Sequence, residues 1–191
     1  MSEIPQLLDI RDLRSVDEDV QIQAANLLVS GFAKHWPNAW PKLQDAVHEV
    51  EEAMREDRIC RVAMDQEGRA MGWIGGISQY GGHTWELHPL VVHPDYQRVG
   101  IGTALVRDFE KRVRQAGATT IWLGTDDESK MTSIGEVDLY PNVLEKAASI
   151  RDVQGHPFEF YRKLGYSVVG VIPDANGLGK PDILMAKRVR S

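Results

Sequence analysis

The residues Tyr96-Gln97-Arg98-Val99-Gly100-Ile101-Gly102-Thr103 carry the most legible chemistry in this chain. They follow the apolar run Leu87–Val92 and open an amphipathic pattern, so strand, glycine loop and helix arrive in that order. Two glycines leave main-chain N–H groups uncovered. The helix behind them adds its unpaired first-turn donors and the positive end of its dipole. Such a loop is an anion cradle suited to a pyrophosphate, and the donors expected to meet it are the N–H groups of Val99, Gly100, Ile101, Gly102 and Thr103, with Gln97 and Arg98 beside them. A P-loop would want Gly-x-x-x-x-Gly-Lys-Ser/Thr, and a dinucleotide loop Gly-x-Gly-x-x-Gly; the spacing fits neither.

The elements that must hold this loop follow from periodicity and turn chemistry. Leu7–Leu13 reads as a short strand. Asp17 or Asp19 can cap a helix to about Lys34 with Ile22, Ala25, Val29 and Phe32 on one face. His35–Pro41 breaks it, and Pro41 suits the first turn of a second, acid-rich helix to about Glu56. Ile59–Met64 and Ala70–Ser78 form a hairpin around Asp65–Gly68. Thr84–Val92 is the next strand, reached through Tyr80–His83, and Pro89 inside it should make the pairing falter or bulge. Thr103–Ala116 places Leu105, Phe109 and Val113 at helical spacing with Gly117 as its C′ residue. Thr119–Leu123 is a strand and Gly124–Tyr140 an irregular polar insertion. Helical segments over Val143–Ile150 and His156–Lys163 then precede two closing strands, Tyr166–Ile172 and Ile183–Val189, around the turn Pro173–Pro181. This succession of elements predicts a single domain, residues 1–191, of the α/β class: a mixed, mostly antiparallel sheet with helices on both faces.

Bulk properties narrow the function classes. The 191 residues are 42% hydrophobic and 26% charged, ordinary for a globular protein. No apolar run approaches the ~18 residues that would span a bilayer, and Met1–Pro5 lacks the layout of a signal peptide, so no membrane partner and a cytoplasmic location are expected. Net charge is −6, with 28 acidic against 22 basic residues, which disfavours nucleic acid. It is compatible with a small cationic substrate. Cys60 is the only cysteine and lies in an apolar run, where a buried structural thiol is the reading. The six histidines show no metal-ligand spacing, so no metal is expected.

The spacing Gln97-x-x-Gly100-x-Gly102 resembles the acyl-CoA loop of the GCN5-related N-acetyltransferase superfamily, and the element order resembles its whole fold. Further strings narrow the likeness. Trp85-Glu86-Leu87-His88-Pro89-Leu90-Val91-Val92, Gly124-Thr125-Asp126-Asp127-Glu128, Asp138-Leu139-Tyr140 and His156-Pro157-Phe158-Glu159-Phe160-Tyr161-Arg162-Lys163-Leu164-Gly165-Tyr166 together resemble chromosomal aminoglycoside 6′-N-acetyltransferases. So do Trp40-Pro41 and Lys180-Pro181-Asp182-Ile183. The likeness covers roughly residues 20–190 and implies acetyl-CoA as donor, an aminocyclitol antibiotic as acceptor and a homodimer. This sequence departs from the group in a longer, tryptophan-containing segment around His35–Trp40.

Acetylating an amine requires a proton to be removed first, because an alkylammonium, titrating near ~10, has no lone pair. Glu86 and His88 lie two apart and so on one strand face. A carboxylate there can take the proton through a water, and a neutral His88 can relay it. The resemblance puts Glu86 in the base role; the alternative is a Glu86 that only binds the cation and a His88 packed beside Trp85. An oxyanion forms next, where a preorganised N–H can contribute ~3–4 kcal/mol. Pro89 interrupts the ladder just before Leu90, and the resemblance assigns this task to the Leu90 amide. Tyr161 matches the tyrosine the family keeps beside the sulfur, where a phenol can protonate the departing thiolate; in a helix with Phe158 and Leu164 it also fits a core stripe. Val91 and Val92 can pair with the pantetheine amides as a strand would. For the acceptor, Asp126 at the end of its strand, with Trp40 and Tyr80 as stacking faces, is the expected set beside Glu86; Asp127, Glu136 and Asp138 read more simply as loop carboxylates. Two competitors stay open: an acetyltransferase for another small amine or a peptide N-terminus, and a noncatalytic acyl-CoA-binding module.

Overall fold

The computed structural model describes residues 8–190. Met1–Pro5, and Leu7 of the first expected strand, lie outside the described residues. The chain divides into two compact units, residues 1–119 with 189–191, and residues 120–188.

In the first unit four antiparallel strands, β1 (Asp9–Asp12), β2 (Arg58–Met64), β3 (Ala70–Gln79) and β4 (Thr84–Val92), lie in sequence order. Their alternation sorts side chains onto two faces. Cys60, Val62, Met64, Trp73 and Val91 join one core with helices α1 (Glu18–Phe32) and α2 (Leu43–Ala53). Arg61, between Cys60 and Val62, turns to the other face. There it pairs at 2.7 Å with Asp108 of α3 (Ile101–Gln115). α1 and the sheet meet closely: the Trp73 indole donates to the Ala24 carbonyl at 2.9 Å.

Of the expected α1 face, Ala25 is buried and Val29 and Phe32 pack against the core, but Ile22 is 38% exposed, and Ala24, Leu27 and Leu28 are buried as well. The helix packs on both the sheet and α2, and small alanines permit that approach where a stripe of large residues would not. α2 starts at Leu43 with Lys42 as its N-cap, so Pro41 stands outside the helix instead of in its first turn. Residues Leu105, Phe109 and Val113 of α3 are buried as their spacing predicts.

The second unit is a three-stranded antiparallel sheet in the order β5 (Thr120–Asp126), β7 (Asp182–Arg188), β6 (Ser167–Ile172). Two short helices, α4 (Val143–Ala148) and α5 (Pro157–Lys163), precede β6. β5 runs three residues beyond its expected end. Gly124, Thr125 and Asp126 pair with Leu184, Ile183 and Asp182 and so belong to the strand, not to the polar insertion. Their composition signals a loop, and the pairing partner overrides it. Among the described residues no helix is long and apolar enough to cross a membrane.

Candidate active site

Around Glu86 the site is built by a fault in β4. Ile74 faces Leu90 and Gly76 faces Leu87, so Gly75 alone opposes both His88 and Pro89. That two-against-one count is a β-bulge at the expected proline. Gly75 accommodates it, because a Cβ there would stand 2.4 Å from the His88 carbonyl oxygen. The bulge also resets the alternation. Glu86 pairs with Ile77, and Ile77 with Arg58, so the three form a row on the α1/α2 face. Val91, beyond the bulge, lies on that same face, packed in its core and against Gly31 of α1, so Leu90 beside it turns the other way.

Glu86 is half-buried. Burial raises its carboxyl above the ordinary value of 4.5, opposed by the nearby His88 and Arg58. The Gln79 amide donates to its Oε2. His88 Nε2 lies 3.8 Å from Glu49 Oε1 of α2, and the His88 ring is 6.0 Å from that of Trp40. Trp40 in turn meets Phe32 edge-on at 4.7 Å. The structure therefore brings Glu86, His88 and Trp40 together. Tyr80 is not packed onto this group; it is 77% exposed at the β3–β4 turn.

The glycine loop follows β4 through one 3₁₀ turn, Pro94–Tyr96. The Gln97 amide donates to the Val92 carbonyl at 3.2 Å and ties the loop to the strand end. Arg98, exposed at φ +64°, and Gly100 at φ +100° carry the chain into α3. Gly100 is the N-cap, so the helix begins at Ile101, two residues before the expected Thr103, and no side chain caps it. The first bond into the helix runs from the Ala104 N–H to the Gly100 carbonyl at 3.0 Å. The N–H groups of Ile101, Gly102 and Thr103 precede it and have no carbonyl four residues back within the helix. This is the donor set a pyrophosphate requires.

In the second unit, Asp126 ends β5 half-buried, its carboxylate accepting from the Asn176 amide. Tyr161 of α5 is 7% exposed, flanked by the rings of Phe160 at 5.0 Å and Tyr166 at 5.7 Å. Burial pushes its phenol well above the ordinary tyrosine value, so the group is protonated and able to donate.

The chain matches the family described as "Acetyltransferase (GNAT) family" over residues 25–135. It belongs to that family. Among solved structures, it is similar to an aminoglycoside 6′-N-acetyltransferase complexed with coenzyme A, at 42% identity over 96% of this chain and 98% of that one, with a TM-score of 0.87. The aminoglycoside 6′-N-acetyltransferase from Enterococcus faecium is 43% identical over 96% and 98%, TM-score 0.85. An aminoglycoside 6′-acetyltransferase of type Ii is 35% identical over 97% and 99%, TM-score 0.70. Comparison with curated proteins gives no match. The fold class expected from the sequence, the mixed-sheet α/β fold of this family, is the one the chain has.

In this acetyltransferase several site residues escaped the sequence reading. Glu49 lies at the edge of the α2 face that buries Ala46 and Val50, a faint signal for a carboxylate turned inward. Arg58 and Gln79, at strand ends, gave none. Asn176 reaches Asp126 across fifty positions of chain, which no local pattern encodes. Asp127, read as a loop carboxylate, is 1% exposed and accepts from the Met131 N–H at 2.7 Å, the Thr132 N–H at 2.9 Å and the Thr132 hydroxyl at 2.7 Å. Glu136 and Asp138 are exposed, Glu136 paired with Lys130 at 2.7 Å. Cys60 is fully buried, and desolvation pushes its thiol up to about 11, which fits an inert core residue and no acyl-cysteine. Among the described residues no group of three or more His, Cys, Asp or Glu is placed to hold a metal ion.

Proposed function

We propose that this chain, acting as one domain over residues 1–191, transfers the acetyl group of acetyl-CoA to the 6′-amine of aminoglycoside antibiotics by direct transfer. The observation that carries the reading is the β4 bulge. It lies on the strand that carries Glu86 and His88, with Trp40 beside His88, and that strand leads on into an uncapped, glycine-opened helix at Ile101. The similar solved structures, described as aminoglycoside 6′-acetylating enzymes and in one case holding coenzyme A, support the donor and acceptor.

Acetyl-CoA is the donor substrate, its phosphates taken by the donors from Val99 to Thr103 with Arg98 at the loop tip. Val91 and Val92 are the β4 residues that pair with the pantetheine amides as a strand would. Glu86 receives the proton of the acceptor ammonium, directly or through water or His88, and the neutral amine attacks the thioester carbon. Desolvation of Glu86 suits this role, since a raised carboxyl is a stronger base for the proton it must take. The Leu90 N–H, next in the strand after the bulge, holds the oxyanion, and Tyr161 protonates the leaving thiolate, which titrates near ~8.5. The balance is one ammonium and one thioester to one amide, one thiol and one proton. Asp126 binds a further ammonium of the acceptor, with Trp40 and Tyr80 as ring faces. A homodimer is supported by Val169 and Ile172, exposed on β6, the outer strand of its unit. Cytoplasmic residence follows from a donor made inside the cell.

Release of free CoA against aminoglycosides, polyamines and short peptides tests the reading. Turnover is expected with 6′-amino compounds and not with their 6′-hydroxyl counterparts. Equal turnover of both, or turnover of peptides alone, would reject the acceptor; acetyl-CoA binding without turnover of any amine would reject catalysis.

A further inference from the structure

His156 takes no part in the chemistry above, yet it is 1% exposed and both its ring nitrogens are engaged. Nδ1 accepts the Phe158 N–H at 3.1 Å and so carries no proton. The proton therefore sits on Nε2, which donates to the Asp126 carbonyl at 3.0 Å. Both bonds require the neutral ring. Burial keeps it so, pushing the imidazole below its ordinary value against the opposing fields of Asp126, Asp127 and Asp152. The backbone is fixed as well, since Asp152 Oδ1 accepts the His156 N–H at 2.8 Å and the Gly155 N–H at 2.7 Å.

The two bonds lead to different functional groups. Nδ1 caps α5, the helix that presents Tyr161. Nε2 grips the last residue of β5, whose carboxylate is the acceptor group assigned above. We propose that His156 is a positioning residue for acetyl transfer, one ring holding both the helix that carries Tyr161 and the strand end that carries Asp126. The inference rests on the roles given to those two residues under the proposed function.

Conservative variants can separate the two bonds. In His156→Asn the side-chain oxygen falls near the place of Nδ1 and keeps the cap, but the amide is too short to reach Asp126. In His156→Gln the amide nitrogen reaches the place of Nε2 and keeps the Asp126 bond, but the cap is lost. Steady-state kinetics would use whichever amine the wild-type enzyme turns over. His156→Asn should raise acceptor KM about fivefold to tenfold with kcat nearly kept, and His156→Gln should lower kcat by a similar factor with KM nearly kept. Equal loss of both parameters in both variants, or no change in either, would mean the ring only fills the core and would overturn the proposal. Where a variant fails to fold, ¹⁵N imidazole shifts of the wild-type chain decide: a neutral ring protonated at Nε2 supports it, and a proton on Nδ1 overturns it. Rejection of every aminoglycoside by the wild-type enzyme would remove the acceptor assignment alone, because the kinetic split can be read with another amine and the shifts need no turnover.

Discussion

The β4 hairpin and the root of the loop after β5 each withdraw a carboxylate from water, in opposite ways. Asp127 has two backbone N–H groups and a hydroxyl aimed at it, all from residues four and five positions on. Gly135 completes the enclosure, since a Cβ there would meet Asp127 Oδ2 at 2.5 Å. Glu86 receives the Gln79 amide, keeps part of its surface in water and lies in the field of His88 and Arg58. A carboxylate saturated by fixed donors organises a loop. One that is partly desolvated and incompletely hydrogen-bonded can exchange a proton. The same functional group thus serves structure in one region and chemistry in the other, and the number of donors makes the difference.

Glu86→Gln tests the chemical side and should have the largest effect. It should cost on the order of 10²–10⁴-fold in kcat/KM, measured by CoA release, with Tm nearly unchanged. A variant that kept its rate would reduce Glu86 to a binding group. Asp127→Ala tests the structural side. It strands three donors, and a loss of about 2–4 kcal/mol in a denaturant titration is expected. Unchanged stability would break the contrast between the two carboxylates. The smallest effect is in pH. The folded-state value of Glu86 lies above its ordinary 4.5, so its protonated form adds stability below that value, and the contribution is lost as pH rises through the raised one. The stability of the wild type relative to Glu86→Gln should therefore fall as pH increases from below 4.5. A difference rising with pH would show the carboxyl to be depressed instead.

Much of the first unit was legible from local pattern. β4 spans Thr84–Val92 as its residues indicate, and the bulge stands at the one proline inside it. Gly100 and Gly117 occupy the left-handed positions that frame α3. Where the reading slipped, a distant partner decided. The buried face of α1 widened to Ala24, Leu27 and Leu28 and left Ile22 exposed, because the helix meets two neighbours at once, and β5 lengthened because β7 continues beside it. Glu49 gained its place only when α2 was set against His88.

The sequence by itself determined the family, the anion-binding loop and the fault in β4. Each is written in contiguous residues whose backbone preferences act over one or two turns of chain: proline without an N–H, and glycine free to take positive φ. Only the tertiary structure decided which carboxylate is filled and which is open, and that one imidazole ties Asp126 to the helix of Tyr161. The imidazole bond spans thirty positions of chain, and even the nearby donors of Asp127 and Glu86 take their direction only once their segments are packed.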